Sequence, residues 1–439
     1  MQARSFRRGL QLLGNIPITP LQTKSLLSWS GLPLRQPFLL FLLAESFTIL
    51  FRMWWLLLNI ALILAFSCRS SGQWHMQDSH TNADLRGIHS IGNGIVWASG
   101  TNGTILRTTD DGDHWQPCAT PSGAEVLDFR GIQGFDANTA IVMSSGKGDL
   151  SRLYKTTDAC HTWKLVFTNP DKDGFWDALR FSKPWPTGRS ETNGVLIGDP
   201  VAGTFSVFLT SDRGETWRRW GRGGFGWKGN CGERQPQASK EEALFAASNE
   251  SVFHFFPSNV LFVTGGRSGA RLVYSDFYDF DGPPCWTTFS SVRLPLARAS
   301  SSAGAFAVAA KNGAYFPLRL MVVGGDYTKP DEPSGNAVFL SSKDGAHLPL
   351  SSYFTVTTPA TPPHGYRSAV AYDAPTNTWV TVGPNGTDVS TDDGLNWRAL
   401  KPAPADAPDA NQNWNALSLP FVVGPKGRVG KLRIEVLKP

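Results

Sequence analysis

One eight-residue pattern recurs along this chain: TTDDGDHW at 108–115, TSDRGETW at 210–217 and STDDGLNW at 390–397. Each copy keeps a hydroxyl residue, an Asp, a Gly and a Trp at the same offsets. A degenerate copy, TTDACHTW at 156–163, puts Cys160 in the glycine place. SSKDGAHL at 341–348 keeps Gly345 but has Lys343 and Leu348 where Asp and Trp stand elsewhere, and a last remnant ends at Trp286 in PPCW. Successive closing positions lie 41 to 69 residues apart. Self-similarity on this scale signals stacked units with insertions in their loops.

Upstream of each copy lies an apolar run that ends in glycine. The runs are IVWASG, AIVMSSG, VLIGD, LFVTGG, LMVVGGD, WVTVGPNG and finally FVVGPKG, seven in all. Earlier still in each unit stands a shorter strand-like segment: LRGIHS, FRGIQGF, WDALRF, NESVFHFF, AFAVAA, YRSAVAY and WNALSL. A unit therefore reads as strand A, strand B, a glycine turn, strand C, the Asp-bearing turn and strand D. Seven such units predict an all-β, seven-bladed β-propeller of four-stranded antiparallel blades. Composition agrees, since 44 Gly, 30 Pro and 16 Trp suit short strands joined by tight turns.

The two ends of the chain complement each other. The seventh unit, from Trp414 onward, has strands A, B and C (KLRIEV) but stops before an Asp turn and strand D. The missing strand is SGQWHMQ, upstream of the first unit, with Trp74 placed as Trp115 is in the next. Residues 73–77 are expected to pair beside 431–436, closing the ring and removing an exposed edge. One propeller domain over 71–439 follows, preceded by a leader over 1–70.

Residues 1–68 carry the whole formal charge of +5, because Arg4, Arg7, Arg8, Lys24, Arg35 and Arg52 face only Glu45 there and the remaining 35 basic and 35 acidic residues cancel. A neutral body lacks the basic stripe of a nucleic-acid binder. The uncharged run at 53–66 is short for a membrane span but right for a signal-peptide apolar region, with small residues following in AFSC. We read it as export to the periplasm or beyond, with 1–52 as an upstream extension of the start site. An uncleaved anchor, or a lipid on Cys68, are alternatives, although Ala65 and Phe66 depart from the usual lipoprotein box. After the leader come Cys118, Cys160, Cys231 and Cys285. Their even number permits disulfides in three pairings, and their spacing matches no zinc pattern.

In a C-to-D hairpin the Ser/Thr hydroxyl and the Asp two residues later can bond turn backbone, Gly supplies positive φ, and Trp packs on the sheet. Thr108, Asp110, Gly112 and Trp115 are therefore read as structural. So are Asp158 and Trp163; Asp212, Gly214 and Trp217; and Asp392, Gly394 and Trp397. A calcium loop would need further ligands and a closing Glu. The pattern resembles the Asp-box, or BNR, repeats of sialidase-like propellers. More closely, FRGI, AIVMSSG, LYKTTD and the ending FVVGPKGRVGKL resemble the photosystem II stability/assembly factor family and its non-photosynthetic bacterial relatives. The resemblance spans nearly all of 73–436. It implies a non-enzymatic, monomeric propeller that binds a partner chain, a membrane-complex subunit or its exposed terminus, during assembly.

Chain direction puts D-to-A and B-to-C connections on one face and the Asp turns on the other. At the start of strand A, nearest the axis, the seven units align Arg86, Arg130, Asp177, Glu250, Phe306, Arg367 and Asn415. The B-to-C turns add Asp199, Arg267, Asp326, Tyr327 and Lys426. Charges at equivalent ring positions converge on a central mouth, where three arginines could grip a carboxylate. Phe175, Trp176 and Trp185 would add aromatic surface. The competing classes are a sialidase-like glycoside hydrolase, with Asp177, Glu250 and Tyr327 in catalytic roles, and a glycan-binding or architectural propeller. The hydrolase needs paired carboxylates or a supported Tyr nucleophile, and the sialidase F/Y-R-I-P segment is absent. No phosphate loop, dinucleotide fingerprint or metal cluster is present, so no cofactor is expected.

Overall fold

In a computed structural model of the chain, the seven apolar runs become the second strands of seven antiparallel sheets. The structure describes residues 73–182, 192–220, 235–255, 259–275, 289–298, 300–311, 318–342 and 354–437, with Arg52, Trp54 and Trp55 of the leader. Most of the 53–66 run, Cys68, Trp185, Cys231, Cys285, Trp286 and the box remnant from Lys343 to Leu348 lie outside the described residues. The chain divides into two units, Met1–Arg69 and Ser70–Pro439. No helix among the described residues is long and apolar enough to cross a membrane.

Blade 1 runs from Leu85–Gly92 to Gln116–Pro117, blade 2 from Phe129–Gly134 to Lys164–Thr168, and blade 3 from Trp176–Phe181 to Arg218–Arg219. Blade 4 runs from Val252–Phe255 to Phe289–Arg293, blade 5 from Ala303–Lys311 to Phe354–Thr357, and blade 6 from Ala369–Asp373 to Arg398–Ala399. Blade 7 holds Ala416–Ser418, Phe421–Val423 and Val429–Leu432, and Trp74–Gln77 from the other end of the chain completes it. The closing register pairs Trp74 with Leu432 and Gln77 with Val429. Strand C of this blade thus begins and ends earlier than expected, and Ile434–Leu437 forms a 3-10 turn. One sheet is longer than its sisters: Glu242–Ala243 and Gly265–Gly266 extend the inner edge of blade 5.

Why the second strands are continuously apolar is now clear. Each blade is covered on both faces by a neighbour, so both sides of the pleat must be buried, while alternation still divides the residues between the two sides. Val96 and Ala98 pack toward blade 7 and Trp97 toward blade 2. Ala140 and Val142 face blade 1 whereas Ile141 and Met143 face blade 3. Phe262 belongs to the blade 3 side and Leu261 to the blade 5 side. Among the described residues the core consists of seven clusters, one at each blade-to-blade contact, and the contact between blades 7 and 1 is as apolar as the rest. Trp74 lies 5.5 Å from Trp414, so the closing strand is held by packing as well as by its ladder.

Candidate functional site

The Asp turns share one closed hydrogen-bond circuit. The Thr108 hydroxyl donates to Asp110 Oδ1 at 2.7 Å and accepts the Gly112 N–H at 3.1 Å, while Asp110 Oδ1 also accepts the His114 N–H at 3.0 Å. Thr156, Asp158, Cys160 and Thr162 repeat it, as do Thr210, Asp212, Gly214 and Thr216, and Ser390, Asp392, Gly394 and Asn396. Two successive residues take positive φ in each, 66° and 89° at Asp111 and Gly112, which is where glycine is favoured. The bonds from His114 and Thr108 hold Asp110 well below the usual carboxylate range, and those from Thr162 and Thr156 lower Asp158 to about 2. At Asp212 and Asp392 burial pushes upward, but the same bonds prevail and the result is lowered. Each Trp then wedges between blades; Trp115 meets Phe421 edge-on at 6.4 Å and Trp217 stacks on Phe167 at 6.4 Å. Among the described residues no group of three or more His, Cys, Asp or Glu is placed to hold a metal ion.

In the second box the glycine place carries new chemistry. Cys160, at φ 65°, forms a disulfide with Cys118, which follows strand D of blade 1. A covalent link therefore joins blade 1 to the Asp turn of blade 2.

On the opposite face an unrepeated segment fills the middle of the ring. Residues 242–251 precede blade 4 in sequence yet bond to four other blades. Glu242 is gripped by Arg271, Nε to Oε1 at 2.7 Å and Nη2 to Oε2 at 2.6 Å, and accepts the Thr264 hydroxyl at 2.6 Å. Asp199 of blade 3 accepts the Leu244 N–H at 2.9 Å. Arg130 of blade 2 donates to the Ala246 carbonyl at 3.3 Å. Asn249 donates to the Ile132 carbonyl at 2.9 Å in blade 2 and accepts the Leu179 N–H at 3.4 Å in blade 3. Ser248 donates to the Ser368 carbonyl at the start of blade 6 at 3.5 Å. Phe245 stacks on Phe306 of blade 5 with centroids 4.0 Å apart and planes 10° from parallel. A segment that touches strands A of blades 2, 3, 5 and 6 lies on the axis, as a plug. The expected strand NESVFHFF is accordingly shorter, because Asn249–Ser251 turns as a 3-10 helix capped by Ser248 before the strand starts at Val252.

Glycines make room for the plug. A Cβ on Gly265 would lie 2.5 Å from Phe245 Cε2, and one on Gly304 would lie 2.4 Å from the Gly265 Cα. Both approaches are too close for any side chain, so this stretch of blades 4 and 5 must be backbone only.

The aligned mouth residues separate into three groups around this plug. On one side Arg130 bonds Asp128 at 2.7 Å and lies 6.0 Å over the half-buried Phe175 ring. Beside it Asp177 is 1% exposed, and burial with the neighbouring Asp199 pushes its carboxyl far up against the opposing Arg130 charge. Burial raises Asp199 and Glu250 as well, with Ser248 and Arg180 opposing at Glu250. On the other side, Tyr327 is 53% exposed and stands edge-on to Phe306 at 6.2 Å and Phe245 at 6.5 Å. Tyr366 meets Phe306 edge-on at 4.8 Å. Burial pushes the Tyr366 phenol up, with the Arg86 charge opposing it. Arg86 is half-buried, and its Nε has no hydrogen-bond partner among the described residues.

The third group is spent on the fold. Arg367 does not reach the mouth: it is fully buried, with Nε 2.8 Å from Asp388 Oδ2, Nη2 also on Asp388, and Nη1 on the Tyr366 carbonyl at 2.8 Å and Asn385 Oδ1 at 2.6 Å. Asp326 accepts the hydroxyls of Ser302 and Thr328, both at 2.7 Å, and closes its own turn. Asn415 donates to the Leu85 carbonyl at 2.9 Å, binding blade 7 to blade 1. Arg267 and Lys426 are exposed, the former 3.9 Å from Glu241 and the latter capped at its N–H by Asp84. Trp176 is fully buried and supplies no surface. The three residues cast as catalytic have different surroundings. Asp177 faces Asp199 and Arg130, Glu250 faces Ser248 and Arg180, and Tyr327 stands among phenyl rings.

Two solved structures share this fold. One is "YCF48 bound to D1 peptide", 14% identical with a TM-score of 0.50, aligned over 83% of this chain and 97% of that one. The other is "YCF48 from Cyanidioschyzon merolae", 17% identical with a TM-score of 0.51, aligned over 83% and 99%. No family model matches the sequence, and no curated protein matches it.

Proposed function

We propose that this chain is an exported, non-enzymatic propeller that binds a partner protein, an assembly or stability factor for a membrane complex, holding the partner at the plugged face. One observation carries the reading: the fold is shared with YCF48, of which one structure holds a D1 peptide. The photosystem II assembly factor resemblance in the repeats points the same way. Two features of the chain's own support it. Side chains outside the Asp turns, Arg86, Arg130, Phe175 and Tyr327, belong to the plugged face, whereas the acids of the turns are consumed by their own loops. The Cys118–Cys160 disulfide suits an oxidising compartment, as export requires. Arg86 and Arg130 are the cations to which we assign the grip on an acidic group of the partner, since Arg367 is committed to Asp388.

The test is recovery of proteins from solubilised membranes on the immobilised full-length chain and on an Arg86→Ala/Arg130→Ala variant. Loss of the captured proteins in the variant is expected. Equal recovery would overturn the assignment, and hydrolysis of fluorogenic sialosides or glucosides by the wild-type chain would overturn the non-enzymatic reading.

A further inference from the structure

We propose that the plugged face carries an apolar notch, walled by Phe245 and Tyr327 and backed by Phe306 and Tyr366, which takes an aromatic or large aliphatic side chain of a partner peptide within about three residues of the carboxylate held by Arg86. This rests on the reading of the chain as a peptide-binding propeller and names the chemistry of its partner. A single exposed tyrosine is unremarkable. Here, however, the tyrosine belongs to a four-ring assembly whose key member comes from the plug rather than the repeat.

Phe245 is half-buried, stacked on a phenyl ring that is itself 2% exposed, and two glycines are required to admit it. Tyr327 stands edge-on to both Phe245 and Phe306 and leaves over half its surface open. Two rings meeting edge-to-face leave a corner lined by one π face and one ring edge, and this suits another ring or a branched alkyl group better than a polar one. Charge supplies the second coordinate. The Arg86 charge opposes the rise at Tyr366, and no acid within salt-bridge distance of Arg86 is found among the described residues. From Tyr366 through Phe306 to Tyr327 the centroid steps are 4.8 and 6.2 Å, so the two tyrosines lie no farther apart than about three extended residues reach. An acid at one end and an apolar side chain at the other therefore satisfy both walls at once. Aromatic and arginine side chains are also the groups that dominate binding energy at interfaces.

The experiment is selection of a random decapeptide display library with free C-termini on the full-length protein. Enriched sequences are expected to carry Phe, Tyr, Trp or Leu within three residues of an acidic side chain or of the terminus. Selection on Tyr327→Ala, a change at an exposed position that leaves the fold intact, should keep the acid and lose the apolar preference, weakening the best peptide about tenfold. Arg86→Ala should weaken acid-bearing peptides whether or not they carry the ring. Acid enrichment without an apolar preference, or a preference unchanged in Tyr327→Ala, overturns the notch and leaves the peptide-binding reading standing. Enrichment of nothing overturns both, and retention of an oligosaccharide on Tyr327 in place of any peptide overturns the assigned occupant.

Discussion

The Asp turns and the axial plug are both dense in acids, yet they use them in opposite ways. In the turns each carboxylate accepts bonds from its own loop and stays ionised, close to solvent, at four related places. Around the plug Asp177, Asp199 and Glu250 are sunk among blades and pushed toward the neutral form. Repetition explains the contrast. Chemistry that four blades repeat closes a hairpin and seats a Trp, whereas chemistry that occurs once ties several blades to one segment. The search for a binding face accordingly belongs where the sevenfold pattern breaks.

Arg367 is the sharpest way to break this division, because it aligns with the mouth but behaves like scaffold. Removing it strands the Asp388 carboxylate, 2% exposed, with only His364 beside it at 2.8 Å. Loss of one partner of a buried pair costs about 3–5 kcal/mol. Arg367→Ala should lower the unfolding free energy by that much, read as a lower denaturant midpoint, and Arg367→Lys should rescue little, because an ammonium cannot serve Asp388, the Tyr366 carbonyl and Asn385 together. An unchanged midpoint with lost partner binding would return Arg367 to the mouth.

The next largest effect concerns the one turn that departs from its siblings. A cross-link across 42 residues stabilises by up to about 4 kcal/mol on the chain-entropy account. Cys118→Ser/Cys160→Ser should lose most of that. Cys118→Ser/Cys160→Gly should recover about 1 kcal/mol of it, since position 160 sits at φ 65° where the other boxes have glycine. Thermal unfolding of both variants decides the point, and equal midpoints would mean that the turn does not need a glycine there.

How much of this was readable in advance follows the same line. Seven second strands and the closure by Trp74 were legible because the apolar run ending in glycine recurs and because a unit lacking strand D is conspicuous; which neighbour each of their residues faces came from the structure. The plug was not, since it lies in the long insertion after Trp217, where no second copy exists for comparison. Its signal was faint: the apolar run ALFAA at 243–247 follows the polar SKEE at 239–242, and Ser239 stands three residues before Glu242, which does bond back to the Ser239 N–H at 2.7 Å. Arg367 was misplaced because aligning repeats locates a backbone and not the direction of a side chain. Cys160 offered a clue of another kind. A cysteine in a glycine place carries a conformational cost, and a bond to Cys118 offsets it.

The smallest expected effect sharpens the comparison most, because the two regions should respond to pH with opposite sign. A box carboxylate has its pKa lowered on folding, so its stabilisation is complete above about pH 4 and is lost as pH falls toward the folded value, about 2 for Asp158. Asp177 has its pKa raised, so its contribution is complete below about pH 4 and is lost as pH climbs toward the raised value. Asp212→Asn should flatten the acid limb of stability against pH, and Asp177→Asn the limb above pH 4, each by at most about 1.4 kcal/mol per pH unit, the weight of one proton. Denaturant midpoints measured between pH 2.5 and 8 separate the limbs. Were both variants to change the same limb, the neutral acids around the plug and the ionised acids of the turns would be one population, and the division between scaffold and site would have to be drawn elsewhere.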